Sequence, residues 1–386
     1  MKEYKIPLTL PRFTGNEEKY ILDCLHDGDL SYSGEYIKRF ESEFAAYTDA
    51  KYAVALSEST AAIHLSLIVA GVKPGEGVFA PALSPISPIN AISYVGAHPV
   101  FVDVDLDSMG ISPESVQAFI DKFCYFKDGI LINRFSNEKI SALLAVHTFG
   151  QSPRIDELRL ITDEYNLKLI EDASIAVGTR YKDRHVGTFG ELGCFGFSSE
   201  NVLSIGTGGM VTTNNQQLAE EIRHLRNFAK YDDYFSYHDK LGFNYKMTNV
   251  SAAVGVAQLE YLSQTISYKR KIHYSYEKEF SKLNNFELLT ELNWCRSNYS
   301  VALLRVPKLE RDNLVTHLRE HGIESRIFGE LNNRHPIYSA NPCGNIDNSI
   351  ELYRTVVIVP CHRGMEDIDV EYFIDIIKEY DVKINH

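Results

Sequence analysis

Short apolar runs alternate with helix-length stretches from residue 52 to residue 171, and this alternation limits the fold more than any other property of the chain. Tyr52–Leu56 reads as a buried strand. Ser57-Glu58-Ser59-Thr60 then opens an apolar helix over Ala61–Ala70, which Gly71 and Pro74-Gly75 stop. Further strands fall at Gly77–Ala80, His98–Asp103, Leu143–His147 and Leu167–Glu171, with a helix over Pro88–Val95. Strands separated by helices predict a mainly parallel sheet covered on both faces, an α/β class. Helical periodicity also marks Glu17–His26 and Tyr36–Ala46.

The character changes after about Asn249. A long helical region over Ser251–Leu283 leads to short strands at Phe286–Leu289 and Tyr299–Val306, then helices at Arg311–His321 and Asp367–Tyr380. We therefore expect a large domain over residues 1–250 with an N-terminal arm, and a smaller α/β domain over 251–386. A chain of 386 residues with 44% hydrophobic content can bury a core of that size.

Composition removes several function classes. A net charge of −13 with no run of like charges argues against nucleic acid and anionic membrane surfaces as partners. The six cysteines are scattered and form no CxxC pair, so neither a zinc site nor a disulfide framework is expected. The segment MKEYKIPLTLPRF has no apolar signal core, and no stretch reaches membrane-spanning length. A cytoplasmic protein is the expectation. Gly206-Thr207-Gly208-Gly209 lacks dinucleotide-fingerprint spacing and precedes a strand, and Ser198-Ser199-Glu200 has no GxSxG elbow around it.

Function is concentrated in Ile170-Glu171-Asp172-Ala173 and in residues 187–213, GTFGELGCFGFSSENVLSIGTGGMVTT. This stretch resembles the pyridoxal-phosphate (PLP) enzymes of the aspartate-aminotransferase fold, fold type I, whose pattern reads roughly S-F-x-x-x-K-x-x-x-x-G-x-G-G. Ser31-Tyr32-Ser33-Gly34, Pro99–Asp103, Val146–Gln151, Arg223–Asn227, Gly242–Met247 and Ala252–Leu259 extend the likeness to DegT/DnrJ/StrS-type nucleotide-sugar aminotransferases. Tyr237–Asp239, Gly242–Asn244 and Thr248-Asn249 are similar to members that aminate UDP-linked keto-sugars on routes to bacillosamine and legionaminic acid.

The resemblance implies a large domain with a seven-stranded type of sheet, a dimer, a nucleotide-linked sugar as substrate and a PLP or pyridoxamine-phosphate (PMP) coenzyme. It places Asp172 against the pyridinium nitrogen. Ser59-Thr60 falls at the phosphate, where helix-start amides favour an anion. Asn244 falls where the family contacts the phosphate of the neighbouring subunit's coenzyme, and Arg326 and His335 lie in segments near the substrate entrance.

Four positions depart from the pattern. Aligning Gly206, Gly208 and Gly209 with the family glycines puts Asn201 in the slot of the lysine that holds the coenzyme. An amide has no nucleophilic lone pair and does not titrate near neutral pH, so it can neither form the Schiff base nor shuttle a proton. The aromatic stacking position is Pro85, a Gln or Glu position is Ile175, and a phosphate-binding Ser is Gly196. Three readings follow. The chain is a degenerate member that binds sugar nucleotide or partners an active paralogue. Alternatively it is a PMP-dependent, dehydratase-like enzyme with non-covalent coenzyme and a proton carrier such as His64, His185 or Lys246. The third reading is an aminotransferase using a displaced lysine, with Lys182 and Lys230 flanking the region. Any bound coenzyme is expected to be non-covalent under the first two readings.

Overall fold

The computed structural model describes residues 4–232 and 237–384. Seven strands of the central sheet lie in the spatial order Tyr52–Leu56, Gly209–Thr213, Leu192–Gly196, Lys168–Asp172, Lys139–Val146, Gly77–Pro81 and His98–Val102. Neighbours are parallel except at Gly209–Thr213, which runs against both strands beside it. A hairpin of Cys124–Lys127 and Ile130–Asn133 adds two antiparallel strands next to Lys139–Val146. The α/β class and the mainly parallel sheet expected from the sequence are both present.

Side-chain alternation along each strand feeds two separate cores, as the pleat requires. Phe79, Val100, Leu143 and Phe195 join one cluster, while Val78, Phe101, Leu144 and Cys194 join the other. The first cluster takes the apolar faces of Glu35–Thr48 and Asn249–Glu260; the second takes Ser59–Val69 and Ile86–Tyr94. Phe44 meets Phe195 and Phe197 edge-on at 5.0 and 5.5 Å, and Phe40 lies 5.2 Å from Phe197. These four rings have no solvent exposure, and each contributes roughly 1.5–3 kcal/mol by burial. They fix the strand that ends at Gly196.

The smaller antiparallel sheet orders Glu287–Leu288, Ala302–Arg305, Val356–Val359 and Arg326–Ile327. A third cluster, including Tyr276, Phe280, Leu314 and Phe373, packs it against helices Leu262–Phe280, Arg311–Glu320 and Asp367–Ile384. The long helical region expected over Ser251–Leu283 is two helices, Asn249–Glu260 and Leu262–Phe280. They meet at Tyr261, whose φ of −104° and ψ of 1° leave the helical range. Thr248 caps the first of them by accepting from the Ser251 amide at 3.2 Å.

Candidate active site

Parallel strands expose their carboxyl ends on one side of a sheet, and ligand crevices in α/β folds form there. A cavity of about 390 Å³ sits at that edge, and Ser59, Pro85, Asp172, Ile175, Asn201 and Arg326 all line it. Six of the ten positions singled out in the sequence therefore meet in one place. Gly196 lies against it: a Cβ there would come within 3.0 Å of Ser59, 3.2 Å of Ser174 and 3.3 Å of the Asn201 Nδ2. Thr60 is in the first turn of the Ser59–Val69 helix, outside the lining. Asn244 is exposed and bridges Asn227 through its backbone, while His335 is half-buried in a turn; neither lines the cavity.

Asp172 ends the Lys168–Asp172 strand and is only 4% exposed. Its Oδ1 accepts from the Ser174 amide at 3.0 Å and from the Ser174 hydroxyl. Burial raises its pKa, with Ser174 opposing. Oδ2 has no partner among the described residues, which fits a cationic ring nitrogen. Beside it, Glu171 is fully buried and accepts from Gly187, Phe189 and Gly190 amides at 2.6–2.7 Å and pairs with His147 Nε2 at 2.9 Å. Burial alone would raise the Glu171 pKa, but His147 and those amides outweigh it and the net shift is downward. This network locks the strand end that carries Asp172.

Asn201 Nδ2 donates to the Ser174 carbonyl at 3.0 Å and to the Gly196 carbonyl at 2.6 Å, and its Oδ1 accepts from the Ser198 hydroxyl at 3.2 Å. Both amide hydrogens are thus committed to backbone. A side chain at 196 would press on this amide, which would have to shift by a few tenths of an ångström.

At the phosphate end, Glu58 occupies the N-cap of Ser59–Val69 without capping it, and the amides of the first helical turn have no intrahelical partner. They can receive an anion. Gly209 lets the neighbouring strand pass beneath this turn, where a Cβ would lie 2.3 Å from the Glu58 carbonyl. Glu58 lines the same cavity, however, and its negative charge opposes a phosphate at this turn. Glu200 lines it too and holds Arg326 Nη1 at 2.9 Å, while Glu324 holds Nη2 at 3.0 Å. Arg326 is therefore already paired. Sequence reasoning missed Glu58 and Glu200; the only signal was their adjacency to Ser59 and Asn201.

Among the described residues, no lysine or histidine lines the cavity. His64 is buried on its helix, 3.1 Å from the Tyr245 hydroxyl, and burial lowers its pKa. His185 is enclosed, holding the Gly178 amide at 2.8 Å, and burial pushes it down to about 4. Lys246 donates to Asn227 at 2.8 Å, Lys182 pairs with Asp156 at the surface, and Lys230 lies in a peripheral strand. Lys269 shares a narrow crevice with Asn201; it is buried and donates to the Ser300 and Cys361 carbonyls. The residues present fit a coenzyme at its ring nitrogen, offer a weakened phosphate seat, and supply nothing to hold it covalently.

The family profile described as the DegT/DnrJ/EryC1/StrS aminotransferase family matches residues 11–378. This chain belongs to that family. GDP-perosamine synthase of Vibrio cholerae is 34% identical over 97% of this chain and 99% of its own length. The putative pyridoxal phosphate-dependent aminotransferase EpsN of Bacillus subtilis (strain 168) is 29% identical, over 97% and 95% respectively. Among solved structures, DesV of S. venezuelae is 27% identical with a TM-score of 0.85, covering 95% of this chain and 94% of its own. The aminotransferase TlmJ of Streptoalloteichus hindustanus shares the fold at a TM-score of 0.89 and 22% identity, covering 99% and 100%. Sugar aminotransferases of nucleotide-sugar and polysaccharide biosynthesis, dependent on PLP or PMP, are the company this chain keeps. Among the described residues, no helix is long and apolar enough to cross a membrane.

Proposed function

We propose that this chain is a degenerate family member that binds a nucleotide-linked sugar and does not carry out ordinary transamination. The observation behind this reading is Asn201, in the lysine slot, with both amide hydrogens committed to Ser174 and Gly196 carbonyls. Pro85 offers a saturated ring where the family stacks an aromatic one, and Ile175 offers no hydrogen bond. The chain acts in the cytoplasm as a dimer, with itself or with an active paralogue to which it lends Asn244. The relatives named for GDP-perosamine favour GDP over UDP as the nucleotide.

A second reading has one specific support. Asp172 keeps an oxygen free in a buried setting, which suits non-covalent PMP. Ser59 and the open amides behind it would hold the phosphate. Bound there, PMP would supply an electron sink for chemistry beside a sugar carbonyl. Glu58 and Glu200 line the cavity beside Asp172, where His64, His185 and Lys246 do not.

The test is amination of a nucleotide-linked keto-sugar with an amino-acid donor and added PLP, alongside equilibrium dialysis of the sugar nucleotide. Binding without amination is expected. Turnover approaching about 1 s⁻¹, the low end of ordinary enzyme rates, would overturn the reading.

A further inference from the structure

A second cleft, about 700 Å³ in volume, shares no lining residue with the Asn201 cavity. Arg180, Arg270, Lys271, Lys278 and Arg296 line it, and among the described residues no carboxylate does. Five cations on one wall run against the grain of a chain with net charge −13. One helix and a pair of strands supply them. Arg270, Tyr274 and Lys278 recur every four residues along one face of the Leu262–Phe280 helix. Arg180 and Arg296 are direct cross-strand partners in the antiparallel pair of Arg180–Tyr181 with Cys295–Arg296.

Like charges opposite each other on a ladder destabilise it. Compensation within the chain is incomplete. Arg270 is held by Glu291, Lys271 by Asp367 at 3.0 Å, and Arg180 approaches Asp49 only to 3.7 Å. Arg296 and Lys278 have no carboxylate within 4.0 Å among the described residues. The Tyr47 hydroxyl also reaches this wall without a hydrogen-bond partner among them; burial raises its pKa against the pull of Arg180 and Arg296. Ser263 and Ser267 add hydroxyl donors, while the Ser275 hydroxyl donates to the Lys271 carbonyl at 3.1 Å.

We propose that this cleft binds a small molecule carrying a diphosphate, with Arg180 and Arg296 as its paired ligands and Lys278 beside them. Guanidinium forks match phosphate oxygens bidentately, and an anion between the two arginines removes the cross-strand repulsion. The volume falls in the range of small-molecule sites and exceeds what one phosphate fills.

The test is calorimetric titration with inorganic pyrophosphate and, separately, with GDP, each against sodium chloride at matched ionic strength. The two arms separate recognition of the diphosphate from recognition of a nucleoside. At least one probe should bind, and the paired change Arg180→Gln/Arg296→Gln should weaken it tenfold or more. Asp172→Ala, in the other cavity, should leave it unchanged. Lys278→Glu, at an exposed position, provides the same readout should the paired change disturb folding. Thermal denaturation should show pyrophosphate stabilising the natural chain and not the paired variant. Failure of both probes to bind, or equal affinity in the arginine and Lys278 variants, would overturn the proposal.

Discussion

Replacing Asn201 by lysine separates the loss of one group from the loss of a whole site. The change removes two amide donations, to Ser174 and Gly196 carbonyls. At about 0.5–1.5 kcal/mol each, that is a cost of about 1–3 kcal/mol. Unfolding entropy near 2.1 cal/mol/K per residue over 386 residues makes this a fall in Tm of only about 1–4 °C. The variant should therefore fold. Coenzyme binding faces a larger deficit. A missing stacking ring costs about 0.5–1.5 kcal/mol, and a missing hydroxyl bond to a charged phosphate costs about 1.5–3 kcal/mol. Together these weaken binding by about 2–4.5 kcal/mol, roughly 30- to 2,000-fold. Asn201→Lys should thus capture PLP covalently under borohydride only at high coenzyme concentration, read by intact mass, and should not aminate a keto-sugar nucleotide. Robust amination by this single variant would refute the claim that Pro85, Ile175 and Gly196 matter.

Two further outcomes concern stability. His185, His273 and His362 are each pushed down to about 4 by burial, so the folded chain takes up fewer protons than the unfolded one below pH 6.5. Stability is complete above pH 6.5 and should fall towards pH 4, by up to about 1.4 kcal/mol per pH unit per histidine. The lowered Glu171 pKa adds loss of the same sign below about pH 4.5. Urea midpoints at pH 7.5, 6 and 5 check this, and a flat profile contradicts it. Glu171→Ala strands three backbone amides and His147 in a fully buried site, and should cost at least about 3–5 kcal/mol. Circular dichroism melting would show it, and an unchanged Tm would mean the network is not structural.

Strands such as Tyr52–Leu56 were legible because a strand buried on both faces leaves a near-continuous apolar run, and this one was read to the residue. The break at Tyr261 was not, since no glycine or proline marks it. The hairpin after Phe123 turns on Asp128-Gly129 at φ of 53° and 77°, a signature that four-residue strands leave easy to overlook. At the site, Asn201 could be placed because Gly206, Gly208 and Gly209 fix the frame. Glu58 and Glu200 carry no pattern of their own; an exposed carboxylate gains meaning only from the cavity that it faces. The basic cleft was invisible for a related reason. It is assembled from residues near 47, 180, 270–278 and 296, which only the folded chain brings together.

The central claim is that the lysine chemistry is absent. Its most direct test is an absorbance spectrum of the purified natural chain with PLP, before and after borohydride, followed by intact mass and peptide mapping. The account predicts at most a coenzyme band that dialyses away, and no mass increment after reduction. A violet band that borohydride fixes onto a single lysine, such as Lys269 in the crevice beside Asn201, would contradict it and restore the chain to the working aminotransferases.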